Sequence, residues 1–134
     1  MLKIVSIGNG ELLVSEHVFL KVEANCDADD YLLTDSTYGS DEAPTTMLGH
    51  VFFFPPCLVK KGDYVMVWTR SGTPYLSRTT WDARQHNLFW GLDKTVWSVE
   101  GDQAFLFHAP RAKRTTATTP KRKQPAVETL DWRT

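Results

Sequence analysis

Apolar and polar residues alternate along most of this chain in short runs, and each run ends at a turn residue. HVFLKVE at 17–23 sets Val18, Leu20 and Val22 against His17, Phe19, Lys21 and Glu23, the pattern of a strand with one buried face. Leu2 to Ile7 alternates too and stops at Gly8-Asn9-Gly10, with Glu11 to Val14 as the expected far arm of a hairpin. The short polar side chains of 25–30 (NCDADD) break the next run, because they compete for local backbone hydrogen bonds. Tyr31 to Thr34 follows as a strand, and the turn-rich residues 35–49 read as a loop.

Val51 to Phe54 is a dense strand stopped by Pro55-Pro56, which cannot donate to a ladder. Lys60-Lys61-Gly62-Asp63 predicts a turn, and YVMVWTR at 64–70 is the clearest central strand, ended by Ser71-Gly72-Thr73-Pro74. Residues 75–87 have no clean period and predict an irregular excursion. From Phe89 to Phe107 the pattern predicts a strand, a short link, a second strand, a turn at Gly101-Asp102 and a closing strand. In that last strand Ala104, Leu106 and His108 face opposite Phe105 and Phe107. Short strands with Gly, Pro and Asp punctuation and no helical period predict an all-β, antiparallel sandwich.

Composition refines this picture at its C-terminal end. The 134 residues are 42% hydrophobic and 12% aromatic, enough for one domain with a real core and no need of disulfides. After Pro110 the chain becomes rich in Thr, Pro, Lys and Arg, a composition that does not offset the entropy of ordering itself. The expected division is a domain over 1–110 and a disordered basic tail over 111–134, with Val127, Leu130 and Trp132 as its one apolar cluster. Eight Lys/Arg against fourteen Asp/Glu up to Pro110 give −6, and seven against two beyond it give +5. The overall charge of −1 hides this split.

No apolar run approaches membrane-spanning length, and the N-terminus lacks the apolar region and cleavage site of a signal peptide. The expectation is a cytoplasmic protein, nuclear in a eukaryote, without a membrane partner. In that compartment Cys26 and Cys57 are expected as reduced thiols.

His50-Val51-Phe52-Phe53-Phe54-Pro55, Lys60-Lys61-Gly62-Asp63-Tyr64-Val65-Met66-Val67, Phe89-Trp90-Gly91, Val96-Trp97 and Gly101-Asp102-Gln103-Ala104-Phe105-Leu106 follow one another along the chain. In that order and spacing they resemble the lamin-tail domain family, from about Leu2 to about His108. The resemblance implies an immunoglobulin-like fold in a stand-alone, prokaryotic-type member, with Trp97 filling the space between two sheets. It implies a non-catalytic accessory module and brings no catalytic residues. The chain departs from the family at 29–35 (DDYLLTD), where many members carry a leucine-serine-glycine-tryptophan strand entry. It has no coiled-coil rod, so a filament role is not implied.

The candidate chemistry is sparse. Asp27, Asp29 and Asp30 lack the glycine and distal glutamate of a calcium loop and read as a solvated turn. His17, His50, His86 and His108 sit at no metal-ligand spacing. Cys57 with His50 or His86 as nucleophile and base has no local signature, and Cys57 after two prolines reads as a small buried hydrophobe. Gly8-Asn9-Gly10 has no helix behind it to cradle phosphate. The expectation is no catalytic site, metal or cofactor.

Binding residues are better represented. Arg70, Tyr75, Arg78, Trp81 and Arg84 gather around the irregular 75–87 segment. Arg, Tyr and Trp are the usual anchors of protein interfaces, which makes these the candidate protein-binding residues. The competing reading is that Tyr75 and Trp81 only staple a long loop to the domain. Arg111, Lys113, Arg114, Lys121, Arg122 and Lys123 are the candidate contacts to DNA or RNA phosphates, or a basic arm that folds back on the acidic body. Free strand edges also leave homo-oligomerisation open.

Overall fold

The computed structural model describes residues 1–8, 11–36, 50–97 and 102–110, together with Thr115 and Ala117. Ten strands follow in order: β1 (Leu2–Gly8), β2 (His17–Val22), β3 (Cys26–Asp27), β4 (Tyr31–Ser36), β5 (Val51–Phe53), β6 (Leu58–Val59), β7 (Tyr64–Trp68), β8 (Tyr75–Arg78), β9 (Arg84–Phe89) and β10 (Gln103–His108). Among the described residues the one helical piece is a single 3-10 turn at Ala28–Asp30. The fold is all-β.

The strands form a five-stranded sheet ordered β1-β2-β7-β9-β8, a three-stranded sheet β10-β4-β5 and a ribbon β3-β6. Their inner faces share one core. Val18, Leu20 and Val22 of β2, Val65 and Val67 of β7 and Leu88 of β9 meet Leu33 of β4, Phe52 of β5 and Phe54. The alternation in HVFLKV and YVMVW therefore marks the buried parity correctly. Trp97 and Val96 are buried in the same core.

Four local expectations differ from what the chain does. Residues 11–15 make a turn, not the second arm of a hairpin, and β1 pairs instead with β2 through a bulge between Ile4 and Ser6. Residues 75–87 are not irregular: β8 and β9 form a hairpin. Because β9 returns between β7 and β8, it pairs parallel to β7, the one parallel pair among the described strands. Residues 91–97 contain no strand.

Val96 and Trp97 at the end of that segment are buried though irregular, and their backbone needs outside partners. Glu16, itself fully buried, supplies them. Its carboxylate accepts from Val96 N–H at 2.8 Å, Trp97 N–H at 3.0 Å and the Thr69 hydroxyl at 2.5 Å. Gly101, most of the expected loop (residues 37–49) and the basic tail beyond Pro110, apart from Thr115 and Ala117, lie outside the described residues.

Candidate functional site

Strand parity that buries valines on one face of the five-stranded sheet turns another set outward. The registers place Lys3, His17, Phe19, Lys21, Tyr64, Met66, Trp68, Gln85, Asn87, Phe89, Tyr75 and Ser77 on that outer face. None of these is acidic, although the body carries −6 overall. The rings pack in two sets. Phe19 stacks on Tyr64 at 5.1 Å, and Trp81 meets Tyr64 edge-on at 5.3 Å. His17 packs on Trp68 at 5.3 Å, and Tyr75 lies over Phe89 at 6.2 Å. The Arg70 guanidinium sits 5.2 Å from the Trp68 ring and 5.0 Å from Phe89, joining the two.

Asn87 holds this face together from beneath. It is 1% exposed, and its Oδ1 accepts from Trp68 Nε1 at 3.1 Å and Gln85 Nε2 at 2.9 Å. Its Nδ2 donates to Ser77 Oγ at 2.9 Å and to the Tyr75 carbonyl at 3.2 Å. One amide thus ties β7, β8 and β9 and fixes the tilt of Trp68. Gly72 belongs to the same packing, because a Cβ there would sit 2.5 Å from the Phe89 ring.

Trp81 is presented by a preformed turn. Thr79 N–H donates to the Ala83 carbonyl at 2.8 Å, Asp82 N–H to the Thr79 carbonyl at 3.0 Å and Ala83 N–H to Thr79 Oγ1 at 2.9 Å. Asp82 closes the loop at φ 65°, a left-handed conformation that Asp tolerates better than most residues. Trp81 remains 58% exposed and Tyr75 52%. Beside Trp81 runs a shallow groove of about 350 Å³ lined by His17, Phe19, Met66, Arg78 and Gln85 among others. A wall of rings with amide and guanidinium donors suits a partner that offers flat apolar groups and acceptors.

Of the five candidates from the sequence, Arg70, Tyr75, Arg78 and Trp81 are brought to this face or its groove. Arg84 is not, because it shares the inward parity of His86 and Leu88. Its Nε lies 3.8 Å from Asp63 Oδ2. The residues sequence reasoning missed are Tyr64, Trp68, Phe89 and Asn87. The signal for the first two was present, since the non-core parity of YVMVW is aromatic. The candidate nucleic-acid contacts Arg111, Lys113, Arg114, Lys121, Arg122 and Lys123 lie outside the described residues.

The inward side of β9 carries a second polar cluster. His86 Nε2 lies 3.0 Å from Asp63 Oδ2, and its Nδ1 lies 3.7 Å from Cys57 Sγ. Asp63 also accepts from Lys60 N–H at 3.0 Å. Burial raises the Asp63 carboxyl, but the hydrogen bonds from His86 and Lys60 and the Arg84 charge outweigh it, leaving the group below its ordinary value. Burial, then the charge of Asp27, pushes the Cys57 thiol up. His50 does not approach Cys57: its ring is 3.2 Å from Asp35 Oδ2 and edge-on to Trp90. Asp27 caps the 3-10 turn and accepts from Cys57 N–H at 2.9 Å, a structural use of that acid. Among the described residues, no group of three His, Cys, Asp or Glu side chains stands at metal-holding distance. No helix there is long and apolar enough to cross a membrane.

Comparison with family models, curated proteins and solved structures finds no match to this chain.

Proposed function

We propose that this chain is a non-catalytic binding module, an immunoglobulin-like sandwich of the lamin-tail type, that recognises a protein partner through the outer face of its five-stranded sheet. The observation that carries the reading is the aromatic character of this face, with Phe19, Tyr64 and Trp81 in one contacting set, Trp68, Phe89 and Tyr75 in another joined through Arg70, and no acidic residue at its described strand positions. Aromatic residues with Arg are what interface centres favour, and Tyr75 and Trp81 are exposed on this face. Burying the rings costs little further entropy, because Asn87 and Arg70 already hold them.

The test begins with a partner captured from the source cell, purified and titrated against the intact chain. Trp81→Ala should weaken that complex about thirtyfold, and Arg70→Ala should weaken it by a smaller factor. Equal affinity for wild type and both variants sinks the proposal.

The second reading is nucleic-acid binding through the tail, favoured by the +5 charge beyond Pro110. It predicts steeply salt-dependent binding that vanishes on removal of residues 111–134. Binding retained after that truncation excludes it.

A further inference from the structure

The cluster on the inner side of β9 is a complete proton path to a thiol. A carboxylate only accepts, so the hydrogen bond at Asp63 requires the Nε2–H tautomer of neutral His86. That tautomer leaves the Nδ1 lone pair facing Cys57 Sγ at 3.7 Å. The partners are fixed independently. Asp63 is pinned by Lys60 N–H within its own turn, and Cys57 is held by Asp27 at its N–H and by Ala28 at its carbonyl. The Cys57 N–H is taken by Asp27, so it is not available to an oxyanion. Thiol exchange needs no such donor. It needs a base for the proton and a leaving thiolate of low basicity.

We propose that Cys57 is a site of reversible thiol modification, in which His86 accepts the thiol proton and a small anionic disulfide supplies the sulfur. The step balances without another reagent. The S–H bond breaks and its proton moves to His86 Nδ1. The sulfur electron pair attacks one sulfur of the disulfide, a new S–S bond forms at Cys57 and the old one breaks. The departing thiolate then takes the proton from His86 and leaves as a thiol. Asp63 steadies the imidazolium between the two transfers. Arg84 lies 3.8 Å from Asp63; its Nε is buried without a hydrogen-bond partner among the described residues, while its side chain as a whole is 39% exposed. Its charge, beside Asp63, is the cation that carboxylates on the incoming molecule would meet.

Cys26 is the internal control. It stands diagonally from Cys57 on the β3-β6 ribbon, because Cys26 pairs with Val59 and Ala28 N–H reaches the Cys57 carbonyl. Both thiols are free and both are half-buried. Cys26 lines an open groove of about 380 Å³, so access alone favours it. The described residues place His86 against Cys57, not Cys26.

The full chain is incubated with oxidised glutathione, and adducts on each cysteine are followed by peptide mass spectrometry, with urea unfolding of every variant in parallel. Burial and Asp27 hold the Cys57 thiol up, so any advantage comes from His86: Cys57 should react faster than Cys26, and His86→Gln should remove that advantage. Asp63→Asn should reduce it in part, as a second variant that leaves the imidazole in place. Arg84→Gln should slow the reaction with oxidised glutathione about threefold and leave that with the neutral hydroxyethyl disulfide unchanged. Faster reaction at Cys26, or a Cys57 rate unmoved by both His86→Gln and Asp63→Asn, overturns the proposal and returns Cys57 to a core thiol reached only by local opening.

Discussion

The outer faces of the two sheets both expose aromatic residues, and they are built in opposite ways. On the five-stranded sheet the rings are wired to polar groups: Trp68 to Asn87, and Trp68 and Phe89 to Arg70. On the three-stranded sheet Phe53, at 63% exposure, Phe105, Phe107 and Val51 stand without such wiring among the described residues. Phe105 and Phe107 stack at 6.4 Å, and Thr34 beneath them is fully buried with its Oγ1 unpartnered among the described residues. One face spends buried amide groups to fix ring orientation. The other offers hydrocarbon alone. The difference separates a surface prepared for a specific partner from one that is only apolar.

Both faces rest on one frame, and Glu16 is the place to break it. Glu16→Ala leaves the Val96 and Trp97 amides buried without acceptors, at roughly 1–3 kcal/mol each. The expected loss is therefore about 2–6 kcal/mol in urea unfolding, with both faces lost in one transition. Two separated transitions would mean the sheets are stable independently. Next in size is Asn87→Ala, which strands the Trp68 indole N–H and removes the tie between β8 and β9. A cost of about 2 kcal/mol is expected, with a shift in tryptophan fluorescence because Trp68 loses its fixed environment. An unchanged spectrum would show that the ring is held by packing alone.

These two residues also show where the sequence was readable. The core parity of 17–22 and 64–68 was legible because each strand has one valine-rich face. The 84–89 strand was not, since RQHNLF is polar on both faces. Its outer Gln85 and Asn87 serve the amide network, and its inner Arg84 and His86 serve Asp63. Strand parity then split the arginines: Arg70 joined the rings and Arg84 turned away. Val96 and Trp97 looked like a strand because they are apolar, yet Glu16, about eighty residues upstream, holds them as irregular backbone. The Cys57–His86 contact spans 29 residues. Nothing local announces such pairings, because the sheet order that creates them is itself a long-range property.

Acid separates the two faces more gently. The lowered Asp63 carboxyl stabilises the fold above its unfolded value, near pH 4, and that contribution disappears as pH falls through the lower folded value. Acid below about pH 4 should therefore loosen the β7-β9 side, measured as faster amide exchange at 84–89 than at 103–108. Asp63→Asn should flatten this dependence. Equal loosening of both sheets in the wild type would place the acid-sensitive group elsewhere.

The smallest effect is the sharpest test of the contrast. Thr34→Val keeps the β-branched shape that suits a strand and removes a buried hydroxyl with no partner among the described residues. Where Asn87 cannot be cut without cost, Thr34 should be replaceable with a gain of about 1 kcal/mol. The midpoint of urea unfolding should rise with its slope unchanged. A fall instead would mean that the hydroxyl has a partner under Phe105 and Phe107. The three-stranded face would then hold a polar anchor of its own, and the two faces would differ in degree, not in kind.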